Sequence, residues 1–433
     1  MAWLDKLKLK KGLVQSLNEA GFVAPKEIQQ KTLARINGGQ DVIAVGPEGC
    51  GKTTTYILAT LNKFNYAPDG VPKVLILVPD KEKVEEVIGK IGQLNKNKIL
   101  SIVPLFAASG IEVQMDAMAN GADIVVATPD RARAIYLKLG LDVNKIELLV
   151  IDDAELIVKQ GLQLPVTELA NSIPKCQHLV FTEVLHERLN KMITPFMKQP
   201  AIVEVEEIRE PQFHMHPQIL YLLPNFGTKV NLLNLFMQDE DLFTKVVLFV
   251  NTRLTAEKLY KSLHDRKSTV ALLNPWFFEM DGFTSLHEFK NATARVLIVV
   301  NDAEQKLDLD DIPFLIHFEL PIEKEIYIDR MIKDSQEADS ETIAITFATD
   351  LELTAVKRIE QATGQKIPLG ELPEDLIVEK ERTLSDVAEK KAAKTKADDN
   401  APGAAFHEKK ASNAKTYNYR AGVKAKMNNK KKH

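Results

Sequence analysis

The chain has 433 residues, 45% of them hydrophobic and 6% aromatic, with 56 Lys and Arg against 60 Asp and Glu and a formal net charge of −4. This is ordinary α/β material, long enough for two domains and a tail. No run approaches the roughly eighteen apolar residues of a spanning helix, Met1-Ala2-Trp3-Leu4-Asp5-Lys6 lacks a signal-peptide core, and Cys50 and Cys176 are too few for a disulfide framework or a metal site; a cytoplasmic protein with no membrane partner is expected.

The charge is unevenly placed. From Lys390 to His433 there are 13 Lys and Arg against 3 Asp and Glu, whereas the rest of the chain carries 43 against 57. An acidic body with a basic tail gives the tail the long-range attraction for a polyanion.

In chain order, the first informative stretch is the apolar run Val42–Val45 followed by Gly46-Pro47-Glu48-Gly49-Cys50-Gly51-Lys52-Thr53 and a helix-like segment, Thr54–Leu61. Strand, glycine-rich loop and helix form the context required by the pattern G-x-x-x-x-G-K-[ST]. Successive backbone N–H groups and a helix N-terminus make a concave anion site. Gly46, Gly49 and Gly51 let the backbone close on phosphates, and Cys50 and Thr54 complete the loop. Lys52 is expected to reach the β- and γ-phosphates, and the Thr53 hydroxyl to ligate Mg²⁺. The competing reading is a plain glycine-rich turn.

Apolar runs at 74–78, 100–105, 123–127, 148–151, 178–181 and 202–205 then alternate with helical patterns such as 80–91 and 112–119. Such alternation predicts a parallel sheet with helices on both faces. A second series follows Glu206-Glu207-Ile208-Arg209-Glu210-Pro211, with strands expected at 246–250, 269–273, 296–300, 314–318 and 342–346 and a helix over 253–264. It has no phosphate loop of its own, so the nucleotide is expected at a cleft between two similar halves. Domains are expected over 1–206 and 207–375, with a tail over 376–433. Beyond about Glu379 no apolar periodicity is sustained, which predicts disorder. There Tyr417 and Tyr419 are interleaved with Lys415, Arg420, Lys424 and Lys426, a pattern that can contact phosphates and stack on bases. A solvated solubility tail is the alternative.

Val150-Ile151-Asp152-Asp153-Ala154-Glu155 ends a buried-type run in acidic residues. An aspartate at a strand tip beside a phosphate loop holds the water shell of Mg²⁺, and Asp152 fits that place. An acidic helix N-terminus that complements the macrodipole would read the same way alone.

With these residues in hand, the chain resembles a DEAD-box RNA helicase over about residues 4–375. Gly21-Phe22-Val23-Ala24-Pro25-Lys26-Glu27-Ile28-Gln29 is similar to the family's Q motif, which implies that Gln29 reads adenine and places Trp3 near the aromatic that stacks on it. Val78-Pro79-Asp80-Lys81-Glu82 resembles motif Ia, Ser109-Gly110 the glycine doublet, and Thr128-Pro129-Asp130-Arg131 motif Ib. The resemblance implies that these loops, with Lys81, Thr128 and Arg131, grip the RNA backbone.

The departures are as informative. The family's Asp-Glu-Ala-Asp reads Asp152-Asp153-Ala154-Glu155, so the catalytic carboxylate becomes Asp153, one methylene shorter. Its Ser-Ala-Thr reads Thr182-Glu183-Val184. Motif IV is kept as Leu248-Phe249-Val250-Asn251-Thr252-Arg253, but motif V has Val300-Asn301 and Gln305-Lys306 where Thr-Asp and Arg-Gly are expected. In the motif VI stretch Arg330 survives, while the arginine-finger positions hold Lys333 and Gln336. An arginine finger is worth about 10³–10⁵ in turnover, and a lysine lacks its planar fork. The resemblance therefore implies two RecA-like domains in tandem, binding of ATP–Mg²⁺ and RNA by a monomer, and hydrolysis and unwinding that are weak or lost, in an RNA-clamp or ribosome-assembly type of role. A working ATP-dependent helicase, and a scaffold that needs no nucleotide, stay open beside it.

Overall fold

The computed structural model describes residues 9–63, 70–97, 99–108, 110–206, 214–264, 269–275, 280–301, 307–333 and 342–380. Trp3, Ser109, Gln305, Lys306, Gln336, Tyr417, Tyr419 and Arg420 lie outside them, as does nearly all of the expected tail.

The first apolar series folds into seven strands: β1 (Val42–Val45), β2 (Val74–Leu77), β3 (Ile102–Leu105), β4 (Ile124–Ala127), β5 (Leu148–Ile151), β6 (Gln177–Thr182) and β7 (Ala201–Glu204). They pair in the order β3-β4-β2-β5-β6-β1-β7, every pair parallel. The second series gives β8 (Gln218–Leu222), β9 (Val246–Val250), β10 (Val270–Leu273), β11 (Gly282–Phe283), β12 (Val296–Val300), β13 (Phe314–His317) and β14 (Ile343–Ala348). These pair in the order β11-β10-β12-β9-β13-β14-β8, again all parallel. The architecture is two parallel-sheet α/β domains in tandem, and both sheets belong to a compact unit that ends at Val378.

The strands are apolar throughout because both faces of each sheet are covered. Val42 and Ala44 pack with one layer of helices and Ile43 and Val45 with the other. The second sheet divides in the same way, with Leu248 on one face and Phe249 on the other. Asp80 starts the helix Lys81–Leu94 by accepting the Lys83 N–H at 2.8 Å, and Val84, Val87, Ile91 and Leu94 bury its inward stripe.

Three details differ from the sequence-based expectation. β3 begins at Ile102 rather than Leu100, and its Pro104 is exposed on a strand paired only with β4, where a missing N–H costs little. β8 is largely half-buried at a sheet edge, and the run Ile219–Leu223 is not among the expected strands. β11 is two residues long and is defined by its pairing with β10. No helix among the described residues is long and apolar enough to cross a membrane.

Candidate functional site

Ligands of open parallel sheets sit beyond the carboxyl ends of the strands, and there the chemistry-bearing residues of the first domain converge. The loop 46–53 leaves the end of β1, with the Gly46 N–H bonded to the carbonyl of Thr182 on β6 at 3.0 Å. A Cβ on Gly46 would come within 2.8 Å of Cys50 Sγ, so the first glycine is required for space. Gly49 (φ 79°) and Gly51 (φ 103°) take left-handed backbone that side chains disfavour. Lys52 opens the helix Lys52–Lys63, and its ammonium donates to the carbonyls of Gly46 (2.7 Å) and Pro47 (3.0 Å), spanning the mouth of its own loop.

Asp152 follows β5, fully buried. Its Oδ2 accepts from the Thr53 hydroxyl at 3.1 Å and the Tyr56 hydroxyl at 2.9 Å. The loop threonine and the strand-tip aspartate are thus neighbours. Burial raises the Asp152 carboxyl above the usual range, the Asp153 charge adds to this, and Lys83 opposes it. Two hard oxygens, Thr53 Oγ1 and Asp152 Oδ2, beside a glycine-rich loop are donors of the type a divalent cation accepts, and such a cation would offset the buried negative charge.

Asp153 stands in left-handed backbone (φ 47°, ψ 49°), which a short polar side chain tolerates, at the start of the helix Ala154–Lys159. Its Oδ2 is paired with Lys83 Nζ at 3.0 Å. Burial pulls the Lys83 ammonium down, but the two aspartates outweigh this and hold it above its usual range.

Gln29 is 5% exposed and caps its own helix, Oε1 accepting the Lys26 N–H at 3.0 Å. A Cβ on Gly51 would lie 3.1 Å from its Nε2, so the glutamine stands directly against the phosphate loop. Lys26 reaches across to donate to the Gly49 carbonyl. Gln29, Gly49, Gly51, Lys52, Thr53 and Thr54 share one cavity of about 570 Å³, into whose wall Asp153 also falls.

The residues read as RNA contacts form a separate group near the ends of β2, β3 and β4. Thr128 is buried, its N–H bonded to the Leu105 carbonyl at 2.9 Å, and precedes the helix Pro129–Leu137. Arg131 Nε donates to the Phe106 carbonyl at 3.0 Å, and Lys81 Nζ lies 5.7 Å from the centre of the Phe106 ring. Phe106 is the hub, and the sequence reading missed it; its only signal is its place directly after an expected strand.

In the second domain Asn301 accepts from Arg330 NH1 at 2.6 Å and donates to Asn251 Oδ1 at 2.6 Å. Arg330 also lies over the Phe249 ring at 3.9 Å, and burial lowers its guanidinium to about 10. The surviving motif VI arginine is therefore committed to tying the ends of β9 and β12 together.

Sequence reasoning also missed a residue of the cavity at Lys52 and Thr53. Arg358, on the helix Leu353–Thr363, lines that cavity and pairs with Glu183 through Nε (2.9 Å) and NH2 (2.8 Å).

The class the fold defines is a tandem parallel-sheet α/β protein with a lysine-bearing glycine loop at the carboxyl end of the first sheet. Residues 26–191 match the model of the DEAD/DEAH box helicase family. Relatives extend the likeness over both domains. An ATP-dependent RNA helicase DeaD of Buchnera aphidicola (strain APS) is 28% identical over 366 residues, which are 83% of this chain and 59% of that protein. A second Buchnera DeaD is covered to 61%, so this chain spans about three fifths of the length of these two relatives. Eukaryotic initiation factor 4A of Caenorhabditis elegans is 25% identical over 380 residues, covering 86% of this chain and 91% of that one. Among solved structures, a DEAD box protein of Methanococcus jannaschii is 21% identical, with a TM-score of 0.46 over 85% of this chain and 98% of that one.

Proposed function

We propose that this protein is a DEAD-box RNA helicase-like protein that binds ATP–Mg²⁺ in the first-domain cavity and RNA across the Phe106 group and the basic tail, with hydrolysis and unwinding weak or lost. The observation that carries the reading is the unequal state of the two kinds of group. Those that bind a nucleotide sit together, with Thr53 and Asp152 in contact at 3.1 Å and Gln29 against Gly51. Those that would stabilise the transition state are compromised: Asp153, though in the same cavity, is short and paired with Lys83, and Arg330 is buried in the Asn301 network.

The chain's own residues divide the work as follows. The Lys52 ammonium exchanges the carbonyls of Gly46 and Pro47 for phosphate oxygens, a favourable trade of neutral for charged acceptors. Mg²⁺, when bound, would supply positive charge beside the phosphates. Thr53 and Asp152 orient it, and Asp153 is the carboxylate placed to orient an attacking water. Misplacing that carboxylate by about 1 Å costs on the order of a hundredfold, and the lost finger costs more.

The test is ATP turnover by the purified chain, with and without structured RNA, against Lys52→Ala. The expected result is measurable ATP binding with turnover no higher than that of the variant. RNA-stimulated turnover that Lys52→Ala abolishes would identify a working helicase instead.

A further inference from the structure

Glu183 stands where the family pattern has a small residue, one position beyond the Thr182 carbonyl that holds Gly46. Its carboxylate is buried, 6% exposed. A buried carboxylate beside a polyphosphate site costs affinity unless a cation answers it. The cation is Arg358, which comes from the other domain: its helix packs into the second-sheet core through Val356 and Ile359. The fork meets Glu183 bidentately, and NH2 also lies 3.5 Å from Glu48 of the phosphate loop. Two surface pairs run alongside this contact, Lys357 of the same helix with Glu204 at 3.2 Å and Lys366, just beyond the helix, with Glu206 at 3.3 Å. Arg358 is thus a planar, permanently charged fork in the wall of the cavity that holds Lys52 and Thr53.

We propose that Arg358 is the second domain's phosphate contact, meeting the terminal phosphates of the bound nucleotide, and that Glu183 is its positioning residue. The inference rests on the nucleotide-binding reading above. It gives the two-domain body a guanidinium at the nucleotide that does not come from the motif VI stretch. It also explains an acidic residue next to a phosphate loop: Glu183 orders a flexible arginine in advance, so less entropy is lost when phosphate arrives.

The experiment is equilibrium binding of ATP–Mg²⁺ and of AMP to the full chain, wild type against Arg358→Ala, Arg358→Lys and Glu183→Gln. Arg358→Ala is expected to weaken ATP about tenfold or more, the loss of a charge-assisted hydrogen bond, and to leave AMP unchanged. Arg358→Lys keeps the charge without the fork and is expected to lose about threefold or more on ATP alone; it carries the test if the alanine variant fails to fold. Glu183→Gln separates positioning from general electrostatics. Removing an anion from the phosphate mouth tightens ATP if charge alone matters, whereas loss of the Arg358 anchor weakens it several-fold, which is the expected result. Wild-type ATP/AMP discrimination in both arginine variants overturns the role of Arg358, and tighter ATP binding by Glu183→Gln overturns that of Glu183, in each case leaving nucleotide binding intact. A wild type that binds no ATP overturns the nucleotide reading itself, and this inference with it.

Discussion

Glu155 and Thr182 meet inside the first domain, with 2.6 Å between Glu155 Oε2 and the threonine hydroxyl. That hydroxyl has one hydrogen and two acceptors within reach, since the Val184 carbonyl lies 2.8 Å away. A protonated Glu155 resolves the conflict by donating to Thr182, which then donates to Val184. Burial pushes the Glu155 carboxyl up to about 7 and the neighbouring charges of Asp153 and Glu183 act in the same direction, while the hydrogen bond that Thr182 can give the ionised form opposes them. The carboxyl binds its proton more tightly folded than unfolded, so its contribution to stability is fully present below about 4.5 and is lost as pH rises through 7. Glu155→Gln removes the titration. Relative to wild type, the variant is expected to gain about 1–3 kcal/mol between pH 5 and pH 8. Urea denaturation at both pH values measures this, and a difference that stays constant across them refutes the protonated pair.

Lys52 provides a direct check on whether the cavity binds nucleotide at all. A ligand at one hundred times its Kd that binds only the folded chain adds about 2.7 kcal/mol. ATP–Mg²⁺ is expected to raise the melting temperature of the wild type by a few degrees and that of Lys52→Ala not at all. Equal shifts in both proteins would place the ligand elsewhere, and no shift in either would favour a nucleotide-independent scaffold.

Sequence reading succeeded where one local rule governs the outcome. Strands β1, β2, β4, β5, β9 and β12 are apolar on both faces because both faces are buried, and the phosphate loop advertises itself through glycine spacing. It failed where structure comes from a partner distant in the chain. β8 is held at an edge by β14, and it is this distant pairing that defines the short run as a strand. Arg358 and Glu183 are 175 residues apart, and each alone reads as an ordinary charge on an element surface. Asp153 was legible as a short carboxylate, but its left-handed backbone and its pairing with Lys83 are tertiary facts.

That geometry sets the expectation for Asp153→Glu. The longer side chain reaches past Lys83 toward the phosphates, and ATP turnover is expected to rise about tenfold over wild type, part of the hundredfold that such a displacement costs. A longer side chain in left-handed backbone also costs stability, about 1 kcal/mol. RNA-stimulated phosphate release and a denaturation curve read the two effects separately. Unchanged turnover would mean that carboxylate length does not limit the reaction.

RNA binding separates in the same way into a body term and a tail term. Lys81 is exposed, and its carboxylate neighbour, Glu85, lies at 3.5 Å, a weak surface pair, so Lys81→Ala should not unfold the chain. Each single-strand phosphate contact contributes about −0.7 to the slope of log K against log salt. Lys81→Ala is expected to reduce the slope by about one such contact. Deletion of 390–433, which removes 13 basic and 3 acidic residues, is expected to flatten it by several. Titration of single-stranded RNA at a series of salt concentrations compares the three proteins. If deletion leaves the slope unchanged, the tail is a solubility segment and the RNA site lies wholly on the body. If Lys81→Ala leaves it unchanged while deletion removes it, the Phe106 group is structural.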